Sequence, residues 1–127
     1  KLTFDSSYAR LDVHADSDRT TQILINLIGN AIRYTPDGGE IAIEIQTNGR
    51  YATIEVQDTG IGIPADSLPY VFERFYRVDA SRARKSGGSG IGLTISRHLA
   101  WAMAGELTVT SDGLDKGSTF TLTLPLA

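Results

Sequence analysis

Asn26 and Asn30 stand four residues apart, so on a helix their carboxamides lie one above the other on a single face. An amide oxygen is a hard, neutral ligand suited to magnesium, which keeps several waters and shares substrate phosphates. A lone asparagine would read as an ordinary polar helix residue. Two of them beside an apolar stripe, followed by Arg33 and Tyr34, read as one edge of a site. A guanidinium there can meet phosphate, and a tyrosine ring offers a flat face to a base or ribose.

A second segment, Asp58-Thr59-Gly60-Ile61-Gly62-Ile63, places a carboxylate at the mouth of a glycine-rich turn after a strand-like run. An ionised carboxylate only accepts hydrogen bonds, so it selects an amino group such as the exocyclic amine of adenine. Its two glycines let backbone approach a ligand closely. An ordinary Asp-x-Gly turn ending a strand reads the same way. A third segment, Gly87-Gly88-Ser89-Gly90-Ile91-Gly92-Leu93, opens a helix whose free amides can face a polyphosphate. It is not a Walker A loop, because Leu93 stands where the lysine must be. Nor is it a Rossmann fingerprint, since its glycine spacing differs and a basic loop precedes it. That loop, with Arg82, Arg84 and Lys85, suits either phosphate contact or a solvated charged surface.

The remaining candidates carry little chemistry. His14 and His98 have no third ligand or paired base, and Trp101 and Met103 at helical spacing read as core.

The elements that must position these residues follow from periodicity. Leu11 to Ala15 alternates and reads as a strand. Asp16 or Ser17 caps a helix reaching about Tyr34, where Thr35-Pro36 stops it. Its stripe is Ile23, Leu24, Leu27, Ile28 and Ala31, with Gln22, Asn26 and Asn30 along one edge. Ile41, Ile43 and Ile45 alternate as a strand, and Asn48-Gly49 turns it into Tyr51 to Val56. A lid is expected over about 64–89. A helix resumes from Ile91 to about Met103 with a glycine stop at Ala104-Gly105, and a hairpin follows around Asp112 to Gly117. The expected fold is an α/β two-layer sandwich: a mixed, mostly antiparallel sheet, helices on one face, and a mobile lid.

At 127 residues this is one domain, 1–127, with an ordinary hydrophobic share of 41% and charged share of 21%. No cysteine is present, which excludes disulfides, thiolate catalysis and cysteine-bound zinc. A net charge of −3 offers no footprint for nucleic acid or an anionic membrane. No run approaches the ~18 apolar residues of a membrane span. The chain opens on Lys1 and a strand-like sequence, and reads as a segment of a longer protein.

In this order and spacing the segments resemble the catalytic, ATP-binding domain of sensor histidine kinases, in the superfamily shared with DNA gyrase B, heat-shock chaperone and mismatch-repair ATPases. Asn26 to Asn30 looks like the N box, Asp58 to Gly62 the G1 box, and Phe72 to Phe75 the F box. Gly88 to Gly92 looks like the G2 box, and Gly117-Ser118-Thr119-Phe120 the G3 segment. The resemblance implies ATP and Mg2+ as cofactors, with Asn30 as the metal ligand and Asn26, Asn30 and Arg33 as the catalytic group. It implies that Arg33, Arg82, Arg84, Lys85, Gly88 and Gly90 serve the phosphates, and that Tyr34 lies against adenine. Asp58 would accept from the adenine amine, with Thr119 helping through water, while Gly60, Gly62, Ile63, Ile91, Gly92 and Leu93 line the nucleotide. Phe72 and Phe75 would dock the lid segment on a helical partner domain.

Gyrase-like ATPases carry a glutamate general base at the position of Asn26, so an asparagine there implies phosphotransfer to a protein side chain rather than hydrolysis. Neither His14 nor His98 lies in the Ser/Thr-His-Glu/Asp context of a phosphoacceptor. That histidine is therefore expected on a separate dimerisation domain of the same protein, with a response regulator downstream. By the resemblance the chain is a transferase domain of two-component signal transduction, whose parent is a phosphoprotein. It is expected as the cytoplasmic part of a cell-membrane sensor, itself touching neither membrane nor nucleic acid. An ATP-driven conformational switch and an anti-sigma-type serine kinase share the same boxes.

Overall fold

The computed structural model describes residues 2–6, 15–73 and 92–126. Helix α1, Ser17–Tyr34, begins where the Asp16 side chain accepts from the Arg19 N–H at 3.0 Å. Asp18 in its first turn and Arg33 in its last complement the helix dipole. It ends at Thr35, whose extended backbone (φ −109°, ψ 113°) is the conformation that Pro36 demands of its predecessor. Ile23, Leu27 and Ala31, at i, i+4 and i+8, are its buried stripe.

Five strands make one sheet: β1 (Leu2–Ser6), β2 (Ile41–Thr47), β3 (Tyr51–Asp58), β4 (Glu106–Thr110) and β5 (Ser118–Pro125). Their spatial order is β1-β2-β3-β5-β4. The β1–β2 pairing is parallel and the other three are antiparallel. The β2–β3 turn is set locally: Asn48 Oδ1 accepts from the Arg50 and Tyr51 N–H groups, and Gly49 takes φ +93°. Alternation then sorts the side chains by face. Ile41, Ile43, Ile54, Val56, Leu107, Phe120, Leu122 and Leu124 point to the helix layer, where they share one core with the buried stripe of α1. The expected mixed sheet with helices on one face is the observed one.

Helix α2, Gly92–Ala102, lies beside α1 and buries Ser96 and Ala100. Its carboxyl end departs from expectation. Gly105 N–H reaches the Ala100 carbonyl and Ala104 N–H that of Trp101, and the left-handed residue between them is Ala104 (φ 59°), not the glycine. Gly105 is needed for a different reason: a Cβ there would lie 2.2 Å from the Thr123 carbonyl oxygen on β5.

Residues 64–73 are the described part of the expected lid. They form tight turns around a short 3-10 helix, Leu68–Tyr70, with Val71 in the core and Leu68 and Phe72 packed against it. The expected strand Leu11–Ala15 falls almost wholly outside the described residues, as do positions 74–91.

Candidate nucleotide site

Asp58 closes β3 opposite Ser118, the first residue of β5. Its Oδ1 accepts from the Gly60 N–H at 2.9 Å and the Ser118 N–H at 3.2 Å, and its Oδ2 from the Ser118 hydroxyl at 2.9 Å. A carboxylate offers about four acceptor sites, so these three donors orient the group and leave room for one more. Ser118, not Thr119, therefore stands beside Asp58. Thr119 pairs with Gln57 and Thr110 on the sheet face away from the helices. It lines a cleft of about 320 Å³ there with Ala42, Gln57 and Lys116. The signal was in the strand: if Phe120 and Leu122 face the helices, Ser118 does too and Thr119 cannot.

The glycines after Asp58 serve the chain itself. A Cβ on Gly60 would lie 2.3 Å from the Tyr34 carbonyl oxygen, and one on Gly62 (φ +71°) 2.0 Å from that of Gly113. On Gly117 (φ +72°) it would lie 2.0 Å from the Asp58 carbonyl oxygen. The segment 58–63 is thus wedged between the end of α1 and the β4–β5 loop. Ile61 N–H donates to the Tyr34 carbonyl at 3.1 Å, Asp115 N–H to that of Ile61 at 2.8 Å, and Gly117 N–H to that of Gly60 at 3.2 Å. Ser111 completes the seam, donating to the Gly117 carbonyl at 2.6 Å while accepting from the Ile63 N–H at 3.0 Å. Ile63 itself is a core residue. Ser111 was absent from the sequence-based site and Ser118 entered only as part of the G3 segment, without a role, because a serine at a strand end carries no distinguishing pattern of its own.

On α1 the two asparagines part ways. Asn26 is engaged: its amide donates to the Ser96 hydroxyl at 2.9 Å and the Gly92 carbonyl at 3.3 Å, and its oxygen accepts from Gln22 at 3.2 Å. Asn30, one turn on, and exposed Arg33 have no side-chain hydrogen bond or ion pair with the described residues. The Tyr34 backbone is stitched to Ile61, which ties the carboxyl end of α1 to the Asp58 turn.

At the start of α2 the structure describes Gly92 and Leu93. The expected phosphate residues Arg82, Arg84, Lys85, Gly88 and Gly90, and also Ile91, lie outside the described residues, as does Phe75. A Cβ on Gly92 would meet only Asn26 Cγ, at an ordinary 3.9 Å, among the described residues. Phe72, expected to dock a partner, is half-buried: its ring meets Phe120 edge-on at 6.2 Å, and the Arg97 guanidinium stacks 4.7 Å above it. Its carbonyl accepts from the Thr94 hydroxyl at 2.7 Å. Trp101, expected in the core, is 46% exposed, with His98 edge-on at 5.1 Å and its indole N–H on Glu106.

Among the described residues no group of three or more His, Asp or Glu side chains is placed to hold a metal. A cation here would need oxygens from a ligand. The amide of Asn30, without a hydrogen bond to the described residues, fits a magnesium ion on those terms, since that ion is shared with phosphates and water. Nor is any described helix long and apolar enough to cross a membrane.

Residues 15–127 match the family described as histidine kinase-, DNA gyrase B- and HSP90-like ATPases. The sensor histidine kinase RppB of Synechocystis is 43% identical over 125 residues, 98% of this chain and 27% of that protein. WalK of Bacillus subtilis is 44% identical over 118 residues, 91% of this chain and 19% of that protein. The chain thus spans about a quarter or less of these relatives. A solved mycobacterial sensor histidine kinase, MprB, superposes with a TM-score of 0.85 at 29% identity, over 98% of this chain and 84% of that one. Full-length ShkA in complex with AMPPNP gives 0.80 at 29% identity, over all of this chain and 26% of that one. With its Asp58 turn, its asparagine-lined helix and these matches along nearly its whole length, the chain belongs to the family of histidine kinase-, DNA gyrase B- and HSP90-like ATPases, alongside the catalytic domains of sensor histidine kinases.

Proposed function

We propose that this chain binds Mg2+·ATP between α1, the Asp58 turn and the start of α2, and presents the γ-phosphate to a histidine on a separate helical dimerisation domain. The observation that supports the reading is the seam from Tyr34 to Ile61, which ties the end of α1 that carries Asn30 and Arg33 to the turn that seats the Asp58 carboxylate. Asp58, with its remaining acceptor capacity, reads the adenine amine. Tyr34 and Leu93 border the base, and Asn30 holds the cation, which when bound would neutralise charge on the phosphates. Arg33 contacts a phosphate. Gly60, Gly62 and Ile63 act behind this surface, as packing that holds Asp58 in place.

Among the described residues no carboxylate lies on the Asn26–Asn30 face to take a proton from water, and such help is typically worth about 10²–10⁴-fold. A histidine acceptor near pH 7 has its own lone pair, so the domain's task is positioning and charge stabilisation. The relatives are named sensor kinases, which supports a parent protein that passes phosphate to a response regulator and a cytoplasmic place for this domain.

The test is calorimetry on the 127-residue chain. Asn30→Ala should weaken Mg2+·ATP binding about tenfold or more, equivalent to about 1.4 kcal/mol, and leave adenosine binding within about twofold. Equal losses for both ligands would make Asn30 structural. In the full-length parent, acid-labile phosphohistidine should form from ATP; robust ATPase activity of this chain alone would sink the kinase reading.

A further inference from the structure

By the resemblance Asn26 stands where gyrase-like ATPases carry a catalytic base, yet its side chain is committed elsewhere. Its amide spans the two helices, donating to Ser96 Oγ at 2.9 Å and to the carbonyl of Gly92, the first residue of α2, at 3.3 Å. Only the nitrogen end of the amide can face that carbonyl, so the orientation is settled by its partner. Gln22 holds the oxygen end. Ser96 is the one buried polar side chain among the described residues, with 0% exposure. A hydroxyl with no access to water needs a partner, and losing it costs more than the bond is worth. Asn26 and Ser96 are therefore matched across the α1–α2 interface. One turn beyond Asn26 on the same helix edge stands Asn30.

We infer that Asn26 is a positioning residue: it pins the first turn of α2 to α1 and so sets the distance between the α2 amino terminus and Asn30, without touching ligand. This rests on the reading that those two groups share one triphosphate. It also explains why a gyrase-type glutamate does not suit this chain. A carboxylate at 26 would set an acceptor against the Gly92 carbonyl and leave both donors missing.

The test measures binding of a non-hydrolysable ATP analogue with magnesium, and of adenosine, to the 127-residue chain and its variants. Asn26→Ala and Ser96→Ala should each weaken the triphosphate about five- to tenfold, the scale of one lost hydrogen bond. The double variant should bind no worse than Asn26→Ala, as coupled partners require. Adenosine affinity should stay within about twofold, a selectivity that general loosening of the fold would not produce. Asn26→Asp keeps the volume but not the donors, and should fail to rescue. If Ser96→Ala leaves triphosphate binding unchanged while Asn26→Ala weakens it, Asn26 acts on the ligand directly and the inference falls. It falls equally if both ligands weaken together. Should Asn26→Ala not fold, Ser96→Ala decides alone: faster amide exchange in the first turn of α2 with weakened triphosphate binding is expected, and unchanged binding overturns the proposal. A wild-type chain that binds neither ligand would overturn the nucleotide reading itself, a result distinct from any of these.

Discussion

Asp58 is both a candidate reader of the base and the anchor of the turn behind it, since three protein donors already sit on its carboxylate. Truncating it to alanine would orphan the Gly60 and Ser118 N–H groups, at about 1–3 kcal/mol for each buried unsatisfied partner. Asp58→Asn is the cleaner change: Oδ1 keeps its two amide donors, and the Ser118 hydroxyl can rotate to accept. The amide then turns a donor toward the base. Competition binding should show the wild-type preference for ATP over GTP, about tenfold or more, collapse in Asp58→Asn; an unchanged ratio would remove Asp58 from base recognition. Gly92 offers the complementary case, a glycine that the described surroundings do not require. Gly92→Ala should leave the melting temperature unchanged or higher, because alanine is the better helix residue by about 0.5–1 kcal/mol, while triphosphate binding weakens. A loss of stability instead would make this glycine structural, like Gly60 and Gly62.

Element boundaries were set by local chemistry, and one was set poorly. Helix α2 ends in a double hydrogen-bonded reversal whose left-handed position holds Ala104 at φ 59°. A Cβ in that conformation costs about 1–2 kcal/mol, partly offset by alanine's smaller loss of chain entropy. Ala104→Gly should therefore stabilise the chain by about 0.5–1 kcal/mol and raise its melting temperature by about 2–5 °C. Gly105→Ala, one residue on, should do the reverse through its clash with the Thr123 carbonyl. If both variants shift stability in the same direction, the assignment of the reversal is wrong. Neither site lies near Asp58 or Asn30, so ligand affinities should hold.

At the scale of the molecule, α2 is joined to the sheet through one carboxylate. Glu106 Oε1 accepts from the Leu107 N–H at 2.8 Å, the Trp101 indole N–H at 2.9 Å and Arg97 Nε at 3.3 Å, while Arg97 also lies over the Phe72 and Trp101 rings. Partial burial pushes the Glu106 carboxyl upward. The Leu107, Trp101 and Arg97 hydrogen bonds and the Arg97 charge outweigh it, and hold the group below its ordinary 4.5. A carboxyl depressed on folding adds stability above its unfolded value and loses it as pH falls through the folded one. Glu106→Gln should thus be less stable than wild type at pH 7, with the gap narrowing below about pH 4.5. The pair is half exposed, so the whole effect should stay within about 1 kcal/mol. Denaturant melts at pH 7 and pH 3.5 measure it, and a gap that widens in acid would reverse the sign argued here.

What could be read from residues alone were features whose causes lie within a few positions. Asp16 starts α1 and Pro36 stops it, Asn48-Gly49 turns β2 into β3, and alternation marks the inward face of β2, β3 and β5. The order of the nucleotide segments was legible for the same reason, as strings of residue types. Partners distant in the chain were not. Ile63 meets Ser111 across 48 positions, Asp58 meets Ser118 across 60, and Asn26 meets Ser96 across 70. Those contacts decide that Gly60 and Gly62 answer to Tyr34 and Gly113, that Phe72 faces Phe120, and that Asn26, unlike Asn30, hydrogen-bonds across to α2 among the described residues. A residue type states which bonds a side chain can make, but only the packed chain brings its partners within the ~3 Å at which a hydrogen bond forms.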